Sequence, residues 1–255
     1  MQRNAEKTAT LPARGVDRFA LKALSMVSGG GRVTTRPAAN TPRPLFAEQL
    51  CRSVTSADPA DVDEVLAVMR KAGVRDTEIS DHYIPAVARQ LGADWCDDIL
   101  DFTRVSIGSA RLQGLLRRLD PMWCTPHETV PTLGTALVVV PHGAQHMLGA
   151  TIFAGQLRRG GANTVLELDT TASQLAACLE KLRPDALMIS ASPSESLETL
   201  QELVQVARET TAEMPIALGG SVLDHQEDIC EMIGADHAMR DWTQALTLCR
   251  PRAAQ

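Results

Sequence analysis

The stretch Thr135-Ala-Leu-Val-Val-Val-Pro-His-Gly-Ala-Gln-His-Met-Leu-Gly149 runs from apolar residues into a loop of glycine and histidine. Its first part, Ala136–Val140, has the length and β-branched content of a strand buried on both faces. Outward from it, the same kind of run recurs at Thr164–Leu168, Ala186–Ile189 and Pro215–Leu218, with a shorter fifth at His237–Met239. Helical stretches of about 10–18 residues separate the runs. This alternation predicts βαβ units: a doubly wound parallel-sheet α/β domain, flavodoxin-like or Rossmann-like, over residues 135–255.

Upstream the periodicity changes. Ser56-Ala-Asp-Pro59 offers a cap and an early proline, and Val62, Val65, Leu66 and Met69 then recur at helical spacing. A second helix starts near Asp76 and carries Ile79, Tyr83, Val87 and Leu91 at four-residue steps. A third is expected from about Asp94 to Leu119, with Asp97-Asp98 on a solvated face. These make a helical cap bundle over residues 56–120. Residues 121–134, within a proline-containing stretch, read as a linker. Residues 1–55 read as a flexible basic tail, with a possible short helix over Arg18–Val27.

Charge is split along the chain. Residues 1–45 hold eight Lys/Arg against two Asp/Glu, which leaves 17 against 29 for the remainder. An acidic body repels phosphates, so direct DNA binding is disfavoured. No apolar run reaches the roughly 20 residues that cross a bilayer, and no secretory signal is evident; no membrane association and a cytoplasmic location are expected. Six cysteines without a CxxC pair argue against a zinc knuckle or a disulfide framework.

Ligands of open parallel sheets bind beyond the carboxyl ends of the strands. Three loops stand there: Pro141–Gly149, the loop beginning Ser190-Ala-Ser192, and Gly219-Gly-Ser221. Gly149, Gly219 and Gly220 lack a Cβ where a ligand or another backbone comes close, and serines can bond a polar head group. His142 and His146 stand four apart, but Gly143 occupies the place of a metalloprotease glutamate, which argues against that chemistry. A histidine on such a loop is either structural or a metal ligand.

The series His146-x-x-Gly149, then about forty residues to Ser190-x-Ser192, then Gly219-Gly220, resembles the cobalamin-binding signature DxHxxG…SxL…GG. The resemblance implies cobalamin bound with its own base displaced and the His146 imidazole on cobalt. It implies contacts to the nucleotide tail from Gly149, Ser190, Ser192, Gly219 and Gly220. Two positions depart from the signature: Ala144 stands where the family has an aspartate that bonds the histidine, and Ser192 replaces leucine. The resemblance implies that, without this carboxylate to accept from it, the imidazole loses a proton relay on which the family's methyl-transfer enzymes rely. The loop Gly143-Ala-Gln145-His146-Met-Leu-Gly149 resembles that of cobalamin-binding antirepressors of the AerR/PpaA type, and implies Gln145 as a further cofactor contact.

Leu91-Gly-Ala-Asp-Trp95 and Phe102-Thr-Arg-Val-Ser-Ile-Gly-Ser-Ala-Arg-Leu-Gln113 resemble the helical cap of the same family, which implies Trp95 against the upper corrin face. The other reading of Trp95 is an ordinary bundle-core aromatic. Val105-Ser106 occupy the place of the Glu-His pair of adenosylcobalamin photoreceptors. The function implied is that of a non-enzymatic, light-responsive regulator carrying hydroxo- or adenosylcobalamin. It would act on a partner transcription repressor of photosynthesis and tetrapyrrole genes. The alternative is a corrinoid methyl carrier of a methyltransferase system; a third reading is a cofactor-free interaction module.

Overall fold

The five residues Ala136–Val140 are all fully buried, because they run through the inside of a sheet covered on both faces. A computed structural model of the chain describes residues 41–119, 132–144, 147–226 and 228–250. The strands are β1 (Thr135–Pro141), β2 (Asn163–Thr170), β3 (Ala186–Ser190), β4 (Ile216–Gly219) and β5 (His237–Met239). All pair in parallel, in the order β2-β1-β3-β4-β5. This flavodoxin-like order reverses direction between β1 and β3, and so opens a crevice at their carboxyl ends.

Residues alternate between the faces of β1 as the two-residue period requires. Leu137 and Val139 pack with Leu175 and Leu179 of α6 (Ala172–Leu182) and Leu203 of α7 (Leu197–Thr210). Ala136, Val138 and Val140 pack instead with Ala150, Ala154 and Leu157 of α5 (Met147–Arg159). The small α8 (Ile229–Ile233) and α9 (Trp242–Leu246) complete the layers, and Ala245 of α9 joins the α5 side.

Among the described residues four helices precede the sheet: α1 (Pro44–Val54), α2 (Ala60–Lys71), α3 (Ile84–Cys96) and α4 (Phe102–Leu119). An α turn at Asp76–Glu78 and a π turn at Ile79–Tyr83 run directly into α3. Ile79, Tyr83, Val87 and Leu91 are all buried, as their four-residue spacing predicts. The bundle core also takes in Ile152, with Leu148 packed against it. Both belong to α5, so this one helix presents Ala150, Ala154 and Leu157 to the sheet and Leu148 and Ile152 to the bundle. At its far end the Arg159 guanidinium donates to Asp81 of the π turn at 2.5 Å, which ties the two layers a second time.

The structure corrects two expectations. First, α1 lies within the stretch read as a tail. Its Leu50 and Val54 are fully buried, but their partners are on α2, α3 and α4, so the local sequence shows a stripe with nothing beside it. Second, the single helix expected over 94–119 is two. Asp98 adopts a left-handed conformation (φ 56°), a common way to end a helix, and the Asp101 carboxylate accepts from Arg104 N–H at 2.8 Å at the start of α4. Asp97-Asp98 is therefore an exposed turn that ends the helix rather than a solvated face along it. The Arg18–Val27 helix lies outside the described residues, as does the 120–131 part of the linker stretch.

Candidate functional site

The carboxyl end of β1 is held from the neighbouring strand. His142 N–H donates to Thr170 O at 3.0 Å, and Gly143 N–H donates to the Asp169 carboxylate at 2.7 Å. The same carboxylate oxygen meets His142 Nδ1 at 2.9 Å. Asp169 itself takes a left-handed backbone (φ 57°), strain that these bonds offset. Ala144 then turns inward among the apolar residues between the sheet and α5, and is 8% exposed. The next two residues, Gln145 and His146, lie outside the described residues. The chain is described again from Met147, the first residue of α5.

Parallel pairing puts the other two loops beside this one. Val139 pairs with Ile189, and Ser190 pairs with Gly219, so the ends of β1, β3 and β4 are neighbours. Gly220 has φ +100°, and a Cβ there would collide with the backbone carbonyl of Ala191. A Cβ on Gly219 would stand 3.1 Å from the Met239 carbonyl oxygen. This glycine pair therefore lets the β4 loop lie against the backbones of the β3 loop and β5. Gly149 is different: a Cβ there would meet nothing within 4 Å, because it faces open space.

That space is a cleft of about 350 Å³ between the sheet and α5. Val138, Met188 and Ala217 of the sheet line it, opposite Gly149 and Phe153. Ser190, Gly219 and Gly220 stand at the strand ends. Four of the expected contacts, Gly149, Ser190, Gly219 and Gly220, are thus brought to one cleft. Ser192 is not among the lining residues. It is fully buried, its hydroxyl is 2.8 Å from Ser194 Oγ, and its N–H donates to Glu195 at 2.5 Å. Trp95 is not in this cleft either. It sits half-buried in the last turn of α3, with its ring centroid 6.4 Å from that of Phe102.

The two charged lining residues had no motif to mark them: Asp224, in the short 3-10 turn Ser221–Asp224, and Arg240, just after β5. Arg240 and Asp224 form an ion pair. The only signal in the sequence was their position after β4 and β5, where a doubly wound sheet keeps its ligand loops.

Residues 134–247 match the family model of the B12 binding domain. The chain is also 33% identical over 181 residues to an uncharacterized 20.5 kDa protein in the bchF-crtJ intergenic region of Rhodobacter capsulatus, covering 71% of this chain and 94% of that protein. The chain carries a B12 binding domain over residues 134–247 and is a homologue of that Rhodobacter capsulatus protein. One solved structure shares this fold: the monomethylamine corrinoid protein of Methanosarcina barkeri superposes with a TM-score of 0.64 at 16% identity, covering 80% of this chain and 96% of that one. A cobalamin-binding protein from Desulfitobacterium hafniense DCB-2 covers the same shares, with a TM-score of 0.42 and 15% identity.

The cleft fits the group that this domain is named for. A B12 nucleotide tail ends in a flat heteroaromatic base carried on ribose phosphate. An apolar slot with hydroxyls and a charged pair at its strand-end edge suits both parts. Among the described residues no group of three or more His, Cys, Asp or Glu side chains could hold a bare metal ion. A cobalt that brings its own ring nitrogens needs one imidazole at most from the protein. No helix among the described residues is long and apolar enough to cross a membrane.

Proposed function

We propose that this B12-binding-domain protein is a non-enzymatic cobalamin-dependent regulator, an antirepressor of the AerR/PpaA type that answers to light through its cofactor and acts on a partner transcription repressor. The observation that carries the cofactor part is the cleft. Gly149, Ser190, Gly219 and Gly220 meet around an apolar slot inside the segment that matches the B12 binding domain. His146, one residue before α5, would hold the cobalt, with Gln145 and Trp95 as further contacts to the cofactor. When bound, the corrin supplies a visible-light chromophore and a metal whose axial ligands exchange.

Ala144 supports regulation over methyl transfer. It is packed among Val140, Ala150 and other apolar residues, so a carboxylate at this position would be buried at high cost. The acid that reaches the described part of this loop, Asp169, is bonded to Gly143 N–H and His142. The chain therefore offers no proton relay from position 144 to the His146 imidazole.

Visible spectra of protein loaded with hydroxocobalamin and with adenosylcobalamin, in darkness and after illumination, test this reading. Uptake with histidine ligation that is lost in His146→Ala, and a light-dependent change in affinity for the repressor, are expected. Absence of uptake overturns the cofactor assignment. Formation of methylcobalamin with a partner methyltransferase, without any light response, overturns the regulatory one and leaves a corrinoid carrier.

A further inference from the structure

The charged pair at the edge of the cleft has no place in the signature that marks the cofactor site. Arg240 Nη1 donates to the Asp224 carboxylate, and Nη2 donates to the Leu223 carbonyl oxygen at 2.5 Å. These two bonds fix the guanidinium plane between the end of β5 and the turn after β4. Asp224 is largely sheltered, with a side chain 18% exposed, whereas that of Arg240 is 57% exposed. Neither side chain has a further partner among the described residues, so Arg240 Nε–H and one Asp224 oxygen stay unused. Among the described residues they are the only charged ones lining a cleft otherwise formed by apolar side chains, glycines and two serines.

We infer that Arg240, oriented by Asp224, is a specificity-determining residue that selects corrinoids carrying a complete nucleotide loop, by binding the ribose phosphate of that loop. This rests on the cobalamin reading of the cleft and deepens it. A phosphodiester is a monoanion with two oxygens free to accept, and a planar guanidinium with N–H groups to spare matches it better than an ammonium would. The remaining Asp224 oxygen can accept from a ribose hydroxyl. Apolar contact with Val138, Met188 and Phe153 would hold any flat base, so the base alone discriminates little. The charged edge adds the discrimination, because a corrinoid without the loop leaves Arg240 where it already is, paired with Asp224.

The experiment compares cobalamin with cobinamide, which lacks the loop, in spectroscopic titrations of the full chain and its variants. Arg240→Gln is expected to weaken cobalamin about tenfold, the effect of losing a charge-assisted hydrogen bond, while cobinamide binding stays unchanged. Arg240→Lys keeps the charge but not the planar fork, and should recover only part of the difference. Asp224→Asn should reduce cobalamin preference by less than Arg240→Gln. Thermal denaturation of each variant shows whether the fold survives. Equal weakening of both corrinoids, or none, overturns the selective role and leaves Arg240 as a structural tie between β5 and the β4 loop. Wild-type protein that binds neither corrinoid overturns the cobalamin reading itself, and the selectivity with it.

Discussion

In the sheet domain Ser190 and Gly219 stand side by side because β3 and β4 are hydrogen-bonded neighbours, whereas in the bundle Trp95 meets Phe102 only because the chain breaks between α3 and α4. A strand end is placed by a ladder of backbone bonds that no side chain has to specify. A helix end is placed by capping and by the packing of stripes that come from distant parts of the chain. The sheet therefore carries the cleft, and the bundle reaches it through α5, the helix that both cores share. This division says where the molecule should tolerate change.

The most damaging substitution expected in the sheet domain is Gly220→Ala. It puts a Cβ into the Ala191 backbone at a φ of +100° that side chains rarely adopt. Urea denaturation should show a loss of about 3–4 kcal/mol, with cobalamin uptake falling beyond what instability explains. A neutral result would mean that the β3 and β4 loops are not locked by this contact. Next in size is Ile152→Ala, which opens a cavity where α5 meets the bundle. About 2–3 kcal/mol is expected, with the sheet domain keeping its fold by circular dichroism. Loss of the whole fold in one step would show that the two regions are a single cooperative unit.

The smallest perturbation uses the protein's own thiols. Cys51 in the bundle and Cys249 beside the sheet are both buried, and both are pushed up to about 11 by burial first and by nearby acids second: Asp94 and Glu48 for Cys51, Asp185 for Cys249. Neither should label in native protein, while the exposed Cys96 does. In rising denaturant Cys51 is expected to label before Cys249, since the bundle lacks a hydrogen-bonded ladder. Mass spectrometry of the labelled peptides decides it, and a shared midpoint would erase the distinction drawn above.

Much of this architecture was legible in advance. All five strands fall where the apolar runs predicted them, and His237–Met239 is a strand end to end. The segments misread were helical: α1 was hidden because its partners are remote in sequence, and the α3–α4 break because Asp97-Asp98 read as the solvated face of one continuous helix. At the site, Gly149, Ser190, Gly219 and Gly220 converge, while Ser192 turns into the protein. The sequence could not show this last point, since it depends on the Ser194 and Glu195 bonds that close the loop.

The residue pattern by itself determined the alternation of strand and helix, the parallel sheet and the loops that gather at its carboxyl edge. Those follow from local periodicity and from the right-handed connections that short βαβ units allow. Only the tertiary structure decided that Gly219 and Gly220 serve backbone approach while Gly149 opens a cleft, that α5 belongs to two cores, and that Arg240 and Asp224 close the cleft with an ion pair. Each depends on atoms brought together across turns and strands, where spacing along the chain carries no distance in space.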